Sequence, residues 1–162
     1  MFRGDAAGLL AADPDAVRLA GAVRTLAEVL ATRPGWRAPS LRGVSVIAQP
    51  HCHHHAVMGW AADRALLEGA GATVTSVGGC CGLAGNFGME RGHYEVSVAV
   101  AEHALLPALS AGDPRDVVLA DGFSCWTQLT DLADRAGQHL AQLLAEKMAD
   151  RTIQPEPRLP DG

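Results

Sequence analysis

Four cysteines are the residues of this chain best suited to chemistry, and each stands among glycines, prolines or histidines. Cys52 lies in Gln49-Pro50-His51-Cys52-His53, Cys80 and Cys81 in Gly78-Gly79-Cys80-Cys81-Gly82, and Cys125 in Asp121-Gly122-Phe123-Ser124-Cys125. Thiolates are soft ligands, and four of them suit either a cubane 4Fe–4S cluster or a tetrahedral zinc ion. Ligand count does not separate the two. His51 and His53 flank Cys52 and can replace a thiolate or tune a cluster through hydrogen bonds. His54 and His55 read instead as solvated members of a polar loop entering a helix. Gly82 and its neighbouring glycines permit unusual backbone angles and the close approach of a bulky ligand. Thiol chemistry at the vicinal pair is the weaker reading, because adjacent cysteines make a strained disulfide and no Cys-x-x-Cys redox motif is present.

The elements that must position these residues can be read from periodicity. Asp13-Pro14 is an N-cap followed by proline at the first helical position, and Val17, Ala20, Val23, Ala27 and Leu30 predict one amphipathic helix to about Thr32. Two prolines and a glycine make residues 33–40 a linker. Beyond it, βα alternation begins. Val44 to Ala48, Thr73 to Val77 and Asp116 to Ala120 read as strands. Helices are expected over 56–70, over 92–109 with its last turn bent or shortened at Pro107, and over 126–149 with a break at Gly137. Gln154 to Gly162 carries three prolines and reads as a disordered tail. The expected organisation is therefore a helical segment over 1–32, the linker, a cysteine-rich domain over 41–150 and a tail over 151–162. Its fold class is α/β, a small parallel sheet of about three strands with flanking helices in a Rossmann-like three-layer arrangement. Every cysteine motif falls directly after a strand, so all four thiols should project from the carboxyl-terminal edge of the sheet, where open parallel sheets bind ligands. Helices beginning there would favour thiolates through their dipoles. Cysteines serving only as small buried hydrophobes would have no reason to share this position.

Composition narrows the function classes. The chain has 162 residues and a hydrophobic fraction of 48%, enough for one core. Its charged fraction, 19%, falls below the roughly 25% usual for soluble proteins, which suggests a surface that faces another domain or subunit. A net charge of -5 without a basic block argues against nucleic acid as a partner. No apolar run approaches the roughly 18 residues of a membrane span, and no signal peptide is evident. A cytoplasmic location follows, where free or metal-bound thiols outnumber disulfides; attachment at the inner membrane through partners is compatible with it. Trp60 and Trp126 read as core or interface anchors, His93, His103 and His139 as surface or packing residues. Asn86, Met89, Glu90 and Tyr94 stand where they can line the site.

Several segments resemble the second cysteine-rich (CCG) repeat of bacterial FAD-linked 2-hydroxyacid dehydrogenases with an iron–sulfur C-terminal region. They are His51-Cys52-His53, the stretch from Gly79 through Cys80-Cys81-Gly82 to Gly88, His93-Tyr94-Glu95-Val96-Ser97, and Ala120 to Cys125. The likeness extends to about Glu146, and its Cys-Cys-Gly block is the specific part. In that family a flavin domain oxidises a substrate such as D-lactate, glycolate or D-2-hydroxyglutarate, and iron–sulfur centres carry the electrons away. Similar repeats in heterodisulfide reductase hold clusters, some of them non-cubane, or zinc. The resemblance implies Cys52, Cys80, Cys81 and Cys125 as ligands, a 4Fe–4S cluster with zinc as the alternative, and FAD only on a missing domain or partner. Implied partners are an upstream FAD or ferredoxin-like domain or subunit, a first CCG repeat and an electron acceptor. The chain departs from the pattern in carrying Gly122 where a widespread form has a further cysteine, which argues against a five-thiolate cluster. Only one repeat is present, and Met1-Phe2-Arg3-Gly4-Asp5 resembles the segment that follows the first repeat, as if a larger protein ended here. Alone, the module is not expected to be catalytic.

Overall fold

The run Val44 to Ala48 is too short and too evenly apolar for a surface helix, and it forms the central strand β1 over Ser45–Ala48. In the computed structural model, which describes residues 2–153, β1 pairs in parallel with β2 (Thr73–Ser76) and β3 (Val117–Leu119), in the order β2-β1-β3. Ala48 is level with both Ser76 and Leu119, so the three strands end together. Met1 and the tail expected from Gln154 onward lie outside the described residues.

Alternation along the strands sorts the core into two layers. Val46, Ala48 and Leu119 face a cluster with Ala27, Trp60, Leu67, Leu140 and Leu143. Those residues come from helices α3 (Leu26–Thr32), α5 (Ala61–Gly69) and α9 (Leu140–Ile153) and from the residue before α5. Ile47, Val118 and Ala120 face the opposite cluster with Leu105, Leu109 and Leu129, supplied by α7 (Leu105–Ala111) and α8 (Phe123–Ala133). Leu67, Leu105 and Leu129 are fully buried, each contributing roughly 1.5–3 kcal/mol of apolar burial. The expected three-layer α/β architecture is the one observed. Among the described residues no helix is long and apolar enough to cross a membrane.

Helix boundaries differ from expectation, each for a local reason. A short helix α1 (Asp5–Leu9) precedes the one expected from Asp13. The latter splits into α2 (Pro14–Ala22) and α3, because Thr25 and Glu28 close a reciprocal capping box that overrides the continuous apolar period. The helix expected over 56–70 starts earlier and divides into α4 (Cys52–Met58) and α5 at Gly59, whose φ of 73° ends the first and turns Trp60 into the core. Pro107 breaks the third helix upstream of itself. Its ring cannot coexist with the helical carbonyl of His103, so α6 (Tyr94–His103) ends there and Pro107 sits in the first turn of α7. The last break spans residues 134–139 and opens at Asp134, which adopts left-handed φ of 49°; Gly137 packs close to Leu129 and Trp126.

Candidate functional site

Level strand ends and short connections bring the cysteine segments to one edge. Cys52 is the first residue of α4, two residues beyond Pro50, so it belongs to a helix start and not to the loop. Cys80 and Cys81 follow β2 after a bend at Gly79 (φ 83°). Cys125 is in the first turn of α8. Cys81 and Cys125 are each 2% exposed, Cys80 is half-buried and Cys52 is exposed; all four are free thiols.

Side chains that the sequence did not single out hold these segments in register. Gln49, buried at the end of β1, donates from Nε2 to the Gly79 carbonyl at 3.1 Å and so ties the first cysteine loop to the second. Ser124 Oγ accepts the Gly85 N–H at 3.1 Å, tying the second loop to the third. Gln128 Nε2 donates to Ser97 Oγ at 2.9 Å beneath the Cys-Cys loop. Gly82 (φ 100°) lies against that pair, and a Cβ there would run into the Ser97 carbonyl. Its missing side chain therefore admits the protein's own backbone. Gly88 makes the same close approach to the Ser97 hydroxyl. Buried Ser97 and Gln128 on otherwise apolar helix faces were the available sequence signal for this support.

The loop also turns its peptide groups toward sulfur. The Gly82 N–H lies 3.4 Å from Cys80 Sγ, and the N–H groups of Leu83 and Ala84 act on Cys81. Gly82, Ala84 and Gly85 all adopt positive φ, and the Gly85 N–H turns to Ser124 Oγ instead of to sulfur. The thiols meet one another as well. A hydrogen bond from Cys125, reinforced by the Leu83 and Ala84 N–H groups, pulls Cys81 down to about 6 despite burial. Cys125 is held far above the usual thiol range, first because Cys81 keeps its proton engaged and then because it is buried. Burial raises Cys80, and the neighbouring Cys81 and Cys52 add to the rise. One thiolate thus forms first, at Cys81, while Cys80 and Cys125 resist a second charge.

His51 caps α4, and its imidazole fills the space beside Gly122, where any Cβ would collide with the ring. A side chain at position 122, including a fifth cysteine, has no room in this arrangement. Burial first, then the nearby His53 and His54, lower His51, so it stays neutral at physiological pH. His53 and His55 are exposed. His54, expected in solvent, is half-buried with its Nε2 shielded. His93 precedes α6 and stacks on Phe87 with ring centroids 4.2 Å apart, and His139 precedes α9. Asn86, Met89, Glu90 and Tyr94 are exposed, and the Tyr94 hydroxyl donates to Asp131 at 3.1 Å. Trp60 is a core residue, whereas Trp126 is about half exposed.

The chemistry of the donor set fits a cluster or a zinc ion. Four thiols come from two helix starts and the loop after β2, backbone N–H groups face two of them, and a cavity of about 550 Å3 lined by Cys80 alone of the four opens toward Val96 and Val100 of α6. Among the described residues no group of three or more His, Cys, Asp or Glu side chains already stands as a metal cage. Comparison of the chain with protein-family profiles, with curated proteins and with solved structures yields no match in any of the three.

Proposed function

We propose that this chain is an iron–sulfur-cluster-binding electron-transfer module of an FAD-linked 2-hydroxyacid dehydrogenase, one that lacks the flavin domain and works in the cytoplasm beside it. The observation that carries this reading is the placement of every cysteine just beyond a strand at the carboxyl-terminal edge of one parallel sheet, with the Cys81 and Cys125 thiols hydrogen-bonded to each other. A bound 4Fe–4S cluster would supply one-electron transfer between the flavin side and an acceptor. Cys52, Cys80, Cys81 and Cys125 are its ligands in this proposal. Cys81, already acidic, gives up its proton first, and the Gly82, Leu83 and Ala84 N–H groups offset the negative charge that four thiolates bring. His51 stays neutral and shields one flank, His53 remains at the solvent side, and Gly82 lets the loop seat on Ser97. No residue of the chain acts covalently on a substrate here.

The test is iron, zinc and acid-labile sulfide analysis of the full chain purified without oxygen, alongside Cys125→Ser. Iron and sulfide in near-equal amounts, lost in the variant, are expected. Zinc without sulfide would replace the redox reading with a structural or docking module on the same thiols. A folded protein that retains no metal when supplied with iron and sulfide would sink both.

A further inference from the structure

Helix α6 shows solvent its more apolar face. The face it buries carries Ser97 and Ala101, and the Ser97 hydroxyl takes its hydrogen bond from Gln128. The exposed face carries Val96, Ala99 and Val100, whose i, i+3, i+4 spacing makes one ridge, with Val96 51% and Val100 38% exposed. β-branched side chains lose χ1 freedom on a helix, so valines at these positions weaken α6 unless something packs on them. The ridge is one wall of the cavity of about 550 Å3, and Gly78-Gly79-Cys80 at the end of β2 is the other.

Beside this cavity the sheet itself is open. At the opposite edge the chain closes β3 with its own backbone: Ala120 N–H donates to the Gln138 carbonyl and Gln138 N–H to that of Val118. On β2, Thr73 and Val77 donate to β1, which turns the peptide groups of Val74 and Ser76 outward. Among the described residues no further strand pairs with them, and the strand carries no charge or proline to guard its edge.

The charges on α6 indicate what covers this face. Glu95 and His103 line the cavity at the two ends of the ridge, each four residues from Ala99, whereas Glu102 lies outside the lining. A helix crossing antiparallel at Ala99, with an imidazole and a carboxylate at matching positions, sets carboxylate against imidazole at both ends. α6 is itself such a helix, and two-fold pairing requires this self-complementarity. The small Ala99 side chain lets the two axes approach closely.

We propose that a second copy of this chain packs on the face formed by α6 and the β2 edge. The two α6 helices run antiparallel, with Ala99 at the two-fold axis and Glu95 of each copy opposite His103 of the other. Cys80, on the cavity wall, then lies beneath the interface. The proposal does not depend on the electron-transfer reading, because no metal takes part in the contact.

Sedimentation velocity of the full chain between about 1 and 100 μM brackets a micromolar Kd, and reductant in the buffer removes disulfide-linked dimers. Wild type should pass from monomer to dimer over this range. Ala99→Glu sets like charges at the axis and should weaken association at least about ten-fold, as should His103→Glu, which opposes two carboxylates. Glu95→His combined with His103→Glu exchanges the partners and should recover the dimer. All three positions are exposed, and circular dichroism checks the fold of each variant. A wild type that stays monomeric across the range, even one that captures a different polypeptide on α6, would overturn the second copy as occupant. So would a dimer indifferent to Ala99→Glu, or a double variant no better than His103→Glu alone.

Discussion

The two sides of the sheet's carboxyl-terminal edge bury different chemistry, although each keeps an unpaired buried oxygen, Gln128 Oε1 below the thiols and Asp63 Oδ2 on the far side. Over β2, the thiols share protons, receive peptide N–H groups and sit on a loop whose glycines let backbone pack on backbone. Over β1 and β3, a carboxylate and an imidazole are buried with atoms left unpaired. Sulfur is large, polarisable and cheaply desolvated as a thiol, so the first side is stable while protonated. A carboxylate has no comparably apolar state short of protonation, so burial raises Asp63 above the usual carboxylate range. The difference separates thiols that burial can leave neutral from a carboxylate whose charged form burial penalises.

The largest effect should come from breaking the thiol side. Cys125→Ser is expected to lower bound iron more than about ten-fold, read by metal analysis, while far-ultraviolet circular dichroism stays near wild type. Gly82→Ala should cost about 3 kcal/mol or more in denaturant unfolding, since the added methyl meets the Ser97 carbonyl at a φ of 100°. Ultraviolet thiolate absorbance in the metal-free protein should show a first deprotonation near pH 6, lost as pH falls through that value. Cys125→Ala removes the donor and should move that midpoint up toward the ordinary thiol range; an unmoved midpoint would dissociate the two residues. On the other side, Asp63→Asn should stabilise the metal-free protein by about 1 kcal/mol at neutral pH, because an amide tolerates burial better than an unpaired charge. The sign follows from the raised value of Asp63. Between the ordinary carboxylate range and that value the unfolded chain has lost its proton and the folded one has not, so wild type weakens relative to the variant as pH rises. Thermal melts across that range check it, and a variant that is less stable at every pH would mean that Asp63 is paired.

Much of the thiol side was legible because it is written in local sequence. Strand and cysteine follow one another three times, twice with glycine between them, and parallel strands whose ends are level bring such segments to one edge without further information. The helix ends were less legible. Apolar spacing runs through Val23 and Gly59 without a sign of interruption, and the capping box at Thr25 and the positive φ at Gly59 decide those breaks; Pro107 does mark the third, but its ring sets the break upstream at Ala104. Asp63 belongs to no motif, yet its burial is written in its position. It shares the inward stripe of α5 with Leu67, three residues after Trp60, and a carboxylate at that spacing on a core-facing stripe signals a buried charge. Ser97 and Gln128 are marked only as polar residues on apolar helix faces, and the long-range bond from Gln49 to Gly79 leaves no periodic trace.

Helix α4 carries Cys52 at its first residue yet buries none of its seven side chains, and it ends at Gly59. Cys81 and Cys125, by contrast, are anchored in the same apolar cluster as Leu105 and Leu129. Local opening free energies follow burial, so amide deuterium uptake should reach residues 52–58 long before the first turns of α8. The four thiols therefore do not share one lifetime: three wait for a large part of the fold to open, while the fourth comes and goes with a single surface turn.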